Sequence, residues 1–285
     1  MVLLRILALA LASSLIRAQA PPVPTAETVP PTVPKPVYRY VGKPIAIEAT
    51  CGEAEISEYG LSCTEGEPCP VYLELAAAES ADSKLFVSGN LHAGTATLWS
   101  ILLSSEDNGQ SWTEPFGRVR GVALDQIQFP GVATGFVAGH TAGPLAKDPF
   151  FLRTTDGGKN WSRLPLFEDG AVGLIEQFHF ESATRGTVGV DRGRPGVGRY
   201  TMLETESGGE SWAVRQSAAV RVPGAPREST PLVRILADAG SKSFRIEQRE
   251  NAVWRTAAAF SVAAGVCRSE PGIAAPEPPP GQLHY

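Results

Sequence analysis

Cysteine and histidine are scarce in this sequence, four of each in 285 residues, and methionine is scarcer still, at two. No C-x-x-C pair occurs, and His92, the histidine nearest the first three cysteines, belongs to no such pair, so a zinc site is not expected. Charge is modest at 19%, with 25 Lys and Arg against 30 Asp and Glu. There is no basic run, which argues against nucleic acid as the main partner. No segment beyond residue 20 is apolar for long enough to span a bilayer, which takes ~20 residues. No long stretch repeats apolar residues at i, i+3, i+4 and i+7 between caps, so a helical bundle is not expected. The G-x-S-x-G elbow and the H-E-x-x-H helix are both missing. The glycine-rich string Gly193 to Gly198 lacks the G-K-[S/T] ending of a phosphate cradle and reads as a loop.

What is present is 43% hydrophobic residues, enough to bury a full core and to exclude disorder of the whole chain. The length allows one large domain or two small ones, at roughly 100–200 residues each. Gly 29 and Pro 24 punctuate short segments rich in aromatic and β-branched residues. That is the composition of an all-β protein with many turns.

The first 20 residues read as a secretory leader. Arg5 gives a positive start, Ile6 to Ile16 is a short apolar stretch, and Ala18-Gln19-Ala20 is a small-x-small cleavage site. Cleavage is expected after Ala20, with a secreted or periplasmic destination and no transmembrane segment in the mature chain. Loss of Arg5 and Arg17 leaves 23 basic residues against 30 acidic ones. Residues 21–36 hold seven prolines in 16 positions and read as an extended linker. Residues 269–285 form a similar proline-rich tail, which leaves 37–268 as the folded part.

Export favours disulfides over metal ligation. Cys63 and Cys69 bracket T-E-G-E-P, a turn-forming stretch, and are expected to close a local loop. Among the three connectivities that four cysteines allow, this leaves Cys51 for Cys267.

A repeat decides the fold class. Ser105-Glu106-Asp107-Asn108-Gly109-Gln110-Ser111-Trp112 is followed by Thr154-Thr155-Asp156-Gly157-Gly158-Lys159-Asn160-Trp161 and by Thr205-Glu206-Ser207-Gly208-Gly209-Glu210-Ser211-Trp212. The tryptophans lie 49 and 51 residues apart. The pattern [S/T]-x-D-x-G-x-x-W predicts a hairpin turn. Asp accepts hydrogen bonds from turn N–H groups, and Gly takes a positive φ. In the third copy Ser207 stands for Asp. A degenerate fourth copy spans Glu247 to Trp254, with Arg249 in the Asp position and Asn251 in the Gly position. Strands precede each box at the same period: L-F-V-S-G-N, G-F-V-A-G-H and G-T-V-G-V-D, and before them V-Y-L-E-L, D-Q-I-Q-F and E-Q-F-H-F. Each unit therefore holds four strands, over about 71–115, 122–167 and 172–216, with a weaker unit at about 230–262. Four antiparallel strands per repeat predict a β-propeller of four or five blades. Residues 37–50 are expected to pair with the C-terminal strand near Ala258–Val266 and close the ring, with Cys51–Cys267 as its staple.

The boxes resemble the Asp-box, or BNR repeat, family of β-propellers. The strand order is most similar to propellers of the photosystem II assembly-factor type, their non-photosynthetic relatives, and sialidase-like propellers. The resemblance spans about 70–215. It implies that Ser105, Asp107, Gly109, Trp112, Thr154, Asp156, Gly158, Trp161, Thr205, Ser207, Gly209 and Trp212 are structural rather than catalytic. A sialidase would also need an R-I-P motif before the first box, and none occurs. The nearest string, Phe244-Arg245-Ile246-Glu247, follows all three boxes and lacks the Pro.

In a four-stranded meander the boxes occupy one face. The loops between second and third strands, and the links between units, occupy the other. That second face is where binding is expected, with Asn90, His92, His140, Asp148, Asp191 and Arg192 as candidates and Asp169, Arg118 and Arg120 on the links. His179 and the recurring tryptophans read as structural. No catalytic residue, metal or cofactor is expected. The expected function is non-catalytic binding of a protein or glycan partner, as scaffold, receptor or assembly factor. The alternative is a glycoside hydrolase using Asp148, Asp169 or Asp191.

Overall fold

The computed structural model describes residues 36–64, 66–221 and 231–269. The expected leader, nearly all of the linker and nearly all of the tail lie outside these residues. The described residues form strands and one short helix, α1 (Glu53–Glu58). In chain order the strands are β1 (Val37–Arg39), β2 (Ala49–Cys51), β3 (Cys69–Ala81), β4 (Lys84–Ala93), β5 (Ala96–Ser105) and β6 (Ser111–Phe116). Then come β7 (Val122–Gln128), β8 (Gly135–Thr141), β9 (Lys147–Thr154) and β10 (Ser162–Pro165). They are followed by β11 (Leu174–Phe180), β12 (Gly186–Asp191), β13 (Tyr200–Thr205) and β14 (Ala213–Ala218). The last are β15 (Val233–Asp238), β16 (Ser243–Glu250), β17 (Val253–Ser261) and β18 (Ala263–Cys267).

These strands form four sheets. Sheet two (β7–β10) and sheet three (β11–β14) are four-stranded antiparallel meanders. Sheet one contains the meander β3–β6, extended to seven strands by β1 on one side and by β18 and β2 on the other. Sheet four is the three-stranded β15–β16–β17. The fold is thus all-β and propeller-like, with the three expected repeat units as three meanders.

Strand alternation sorts side chains between neighbouring sheets. In β4, Leu85, Val87 and Leu91 join the core shared with sheet four, and Phe86 joins the core shared with sheet two. In β8, Val137 faces sheet one, whereas Phe136 and Ala138 enter the core with sheet three. This is why both strands are apolar over consecutive residues: each is covered on both faces. Aromatic pairs fill the junctions, with Phe136 stacked on Phe180 at 3.5 Å and Trp112 edge-on to Phe260 at 5.3 Å. The outermost β14 has no such cover and is exposed over most of its length.

The box turns show the expected geometry. Asp107 Oδ1 accepts from Ser111 N–H at 2.8 Å, and Ser105 Oγ accepts from Gly109 N–H at 2.8 Å. Asp156 accepts from Lys159 and Asn160 N–H at 3.0 Å each, and Thr154 from Gly158 N–H at 3.0 Å. In the third copy Ser207 Oγ takes the Asp role, accepting from Ser211 N–H at 2.9 Å. Each tryptophan indole donates to the box glycine carbonyl: Trp112 to Gly109, Trp161 to Gly158 and Trp212 to Gly209. Gly109 (φ 89°) also lies so close to sheet four that a Cβ there would sit 2.6 Å from the Ala257 carbonyl oxygen.

The fourth copy is not a box. Asn251 (φ 47°) and Ala252 (φ 68°) form a two-residue turn, and Arg249 pairs across the hairpin with Trp254. Two successive positive φ values close a tight hairpin directly and leave no residues for a side-chain-filled turn.

The first and last described strands both join sheet one, with one difference from expectation. Val37–Arg39 pair with the outer strand β6. It is Ile45 and Ala49–Cys51 that run beside the C-terminal strand, in parallel, against Phe260 and Gly265–Cys267. Tyr38 explains the difference: its hydroxyl donates to Glu114 Oε1 on β6 at 2.6 Å, and Arg118 donates to the same oxygen at 2.7 Å. Burial, then Glu114, pushes the Tyr38 pKa up to about 12. Both expected disulfides are present: Cys51–Cys267 (Cα–Cα 4.4 Å) and Cys63–Cys69 (5.2 Å).

Candidate functional site

The face opposite the boxes carries the loops after β4, β8 and β12 and the links between meanders. Three of the six expected side chains there are engaged within their own sheets. His92 Nε2 lies 2.8 Å from Glu74, with Thr97 at its other nitrogen. His140 Nδ1 lies 2.9 Å from Asp125. Asp191 is held by Arg199 at 3.1 Å and by the Gly193 N–H. The Arg199 hydrogen bonds keep the Asp191 carboxyl below its ordinary range.

Asn90 is not on the face at all. It is 3% exposed, and its amide brackets the Leu124 backbone, accepting from N–H at 2.8 Å and donating to C=O at 3.4 Å. It joins sheet one to sheet two. Gln128 does the same between sheets two and three, on the N–H and C=O of Phe180 and on His179. The sequence shows a polar residue at the end of a strand; only the packing shows that it points into a junction. Arg118 and Arg120 are likewise internal ties. Arg118 binds Glu114 and the Glu48 carbonyl, and Arg120 binds Glu55 and Glu58 of α1.

The remaining candidates converge. Asp148, at the start of β9, and Asp169, on the link after β10, line one open cleft of about 380 Å³ with Thr141, Arg163, Pro165 and Phe167. Asp148 adopts φ 49°, a strained value for a non-glycine residue, and its carboxylate accepts from Gly170 N–H. That bond fixes the link carrying Asp169. Arg163 stacks over Phe150 at 4.0 Å, and Arg192 over Phe167 at 3.9 Å. Arg192 Nε is buried without a hydrogen-bond partner, and burial, then the charge of Arg194, draws its pKa down. Among the described residues, Arg163, Arg192, Asp148 and Asp169 form no ion pair with one another, whereas His92, His140 and Asp191 on this face each have an oppositely charged partner.

Arg163, Pro165 and Phe167 were not anticipated. Their signal is an alternation: at i, i+2 and i+4 they put a cation, a ring and an aromatic on one side of an edge strand and its continuation. A loop-centred reading passes over β10 because it is an outer strand.

Among the described residues no group of three His, Cys, Asp or Glu side chains is placed to hold a metal ion, and no helix is long and apolar enough to cross a membrane. No protein-family model and no curated protein matches the chain.

Proposed function

We propose that the chain is an exported, non-catalytic propeller of the Asp-box kind, with four or five blades, that binds a protein or glycan partner on the face opposite its boxes. Within that range the cleft favours a glycan. The observation that carries the reading is a set of four charged side chains at the cleft that Phe167 lines, Asp148, Asp169, Arg163 and Arg192, none of which has an ion pair among the described residues. Guanidiniums held on aromatic rings beside two carboxylates suit a ligand rich in hydroxyls, which donates to Asp and accepts from Arg. Stacking prepays part of the ordering cost of the two arginines. The two disulfides support an oxidising compartment.

Two carboxylates in one cleft are also what the hydrolase alternative requires. Against it stands the pairing of Asp191: Arg199 holds its carboxyl below the ordinary range, whereas a general acid needs a raised pKa.

The test is an NMR titration of the protein with a panel of neutral and acidic oligosaccharides, repeated on Arg163→Ala and Asp169→Asn. Both variants are expected to weaken binding about tenfold, the ~1.4 kcal/mol of one charge-assisted hydrogen bond, at unchanged melting temperature. Shifts confined to the box face would sink the proposal. Cleavage of any oligosaccharide that stops in Asp148→Asn would establish the hydrolase instead.

A further inference from the structure

A second depression lies away from the charged cleft. It sits where the chain passes from β17 of sheet four to β18 of sheet one, and it is apolar. The rings of Tyr72 and Phe244 and the small side chains of Ala237, Ala239, Val262 and Ala263 line it, around a volume of about 440 Å³. Tyr72 is 44% exposed in a strand whose neighbours Val71 and Leu73 are buried. The edge carries one uncompensated charge. Asp238 turns its carboxylate onto the N–H groups of Gly240 and Ser241, whereas Lys242, with φ 48°, has no ion pair among the described residues.

We propose that this groove is the docking site for the proline-rich stretch Pro276–Pro280 of the same chain. Three observations support that occupant. First, a groove lined by aromatic rings is the surface that recognises a polyproline II strand, whose conformation is already fixed by its prolines. Second, the geometry of the chain fits. β18 starts at Ala263 in the groove and the described chain ends at Ser269. Six residues of strand carry it roughly 20 Å away, and residues 270–275 can span roughly 20 Å back, bringing Pro276 to Tyr72. Third, P-E-P-P-P carries one acid, Glu277, to set against Lys242. Tethering raises the effective concentration to about 1 mM, so docking as weak as about 100 µM leaves the groove about 90% covered.

The experiment reads the reactivity of Tyr72 in the full chain. Nitration by tetranitromethane is followed by peptide mass spectrometry, with the half-buried Tyr200 as internal reference. Replacing Pro276, Pro278, Pro279 and Pro280 by Ser is expected to speed nitration of Tyr72 about tenfold and leave Tyr200 unchanged. A synthetic peptide of residues 270–285 added to that variant is expected to restore protection, less so in Lys242→Glu. Equal rates with and without the prolines would overturn the proposal. So would protection that grows with protein concentration, which would assign the groove to a second copy.

Discussion

Cys51–Cys267 and Cys63–Cys69 offer a comparison inside one molecule, because they differ mainly in the loop they close: 216 residues of sequence separation against 6. Constraining the unfolded chain is worth about 5.4 kcal/mol for the long loop and about 2.4 kcal/mol for the short one in the loop-entropy model. The difference of about 3 kcal/mol corresponds to roughly 6–12 °C of melting temperature for a domain of this size. The structure adds to the contrast. Cys267 is fully buried and sits between Cys51 on β2 and Cys69 on β3, so the long bond also fixes β18 at the centre of a three-strand contact. The perturbation is a pair of double variants, Cys51→Ala with Cys267→Ala, and Cys63→Ala with Cys69→Ala. Alanine avoids placing a hydroxyl at the buried positions of Cys51, Cys63 and Cys267. The assay is calorimetry, with urea unfolding as a check that both variants unfold with the parental m-value. The long-loop variant is expected to melt lower than the short-loop variant by the stated margin. Equal losses, or a larger loss from the short loop, would refute the reasoning and mean that β18 is held by its ladders alone.

Acid should act on the boxes selectively. Hydrogen bonds from Asn160 hold the Asp156 pKa at about 2, and hydrogen bonds from Ser111 and Ser105 outweigh burial and lower that of Asp107. A depressed folded-state pKa gives stability that is complete above the unfolded value and fades as pH falls through the folded one. Protection of the Ser111 and Asn160 amides against hydrogen exchange is therefore expected to fall between about pH 4 and pH 2, while that of Ser211, bonded to the hydroxyl of Ser207, does not. Asn90→Ala should leave the Leu124 N–H and C=O unpaired in a buried junction and cost about 1–3 kcal/mol in urea unfolding, whereas His92→Ala, whose pair with Glu74 is partly exposed, should cost under about 1 kcal/mol.

The repeat made the meanders legible, because [S/T]-x-D-x-G-x-x-W is a local device whose hydrogen bonds close within eight residues. Even the Ser207 substitution kept the register, since a hydroxyl accepts the same N–H. The sequence misled where the outcome depended on a distant partner. Glu247 to Trp254 matched the spacing of a box, but Asn251-Ala252 met the stricter demands of a two-residue turn. Val37–Arg39 went to β6 because Tyr38 found Glu114 and Arg118, residues more than 70 positions away. At the candidate site, the loop acids Asp148 and Asp169 were readable as residues of one face. The same reasoning put Asn90 there too, because polarity at a strand end does not tell whether a neighbouring sheet covers it.

Sheet one is assembled from the first and the last strands to be made. Until β18 exists, β3 keeps an open edge with unpaired N–H and C=O groups, and Cys51 has only Cys63 and Cys69 within reach. A growing chain therefore passes through an interval in which its earliest sheet is sticky and its first cysteine has no correct mate. Closure of Cys63 with Cys69, six residues apart, needs no later part of the chain, and if it comes first it removes both wrong partners at once and reserves Cys51 for Cys267.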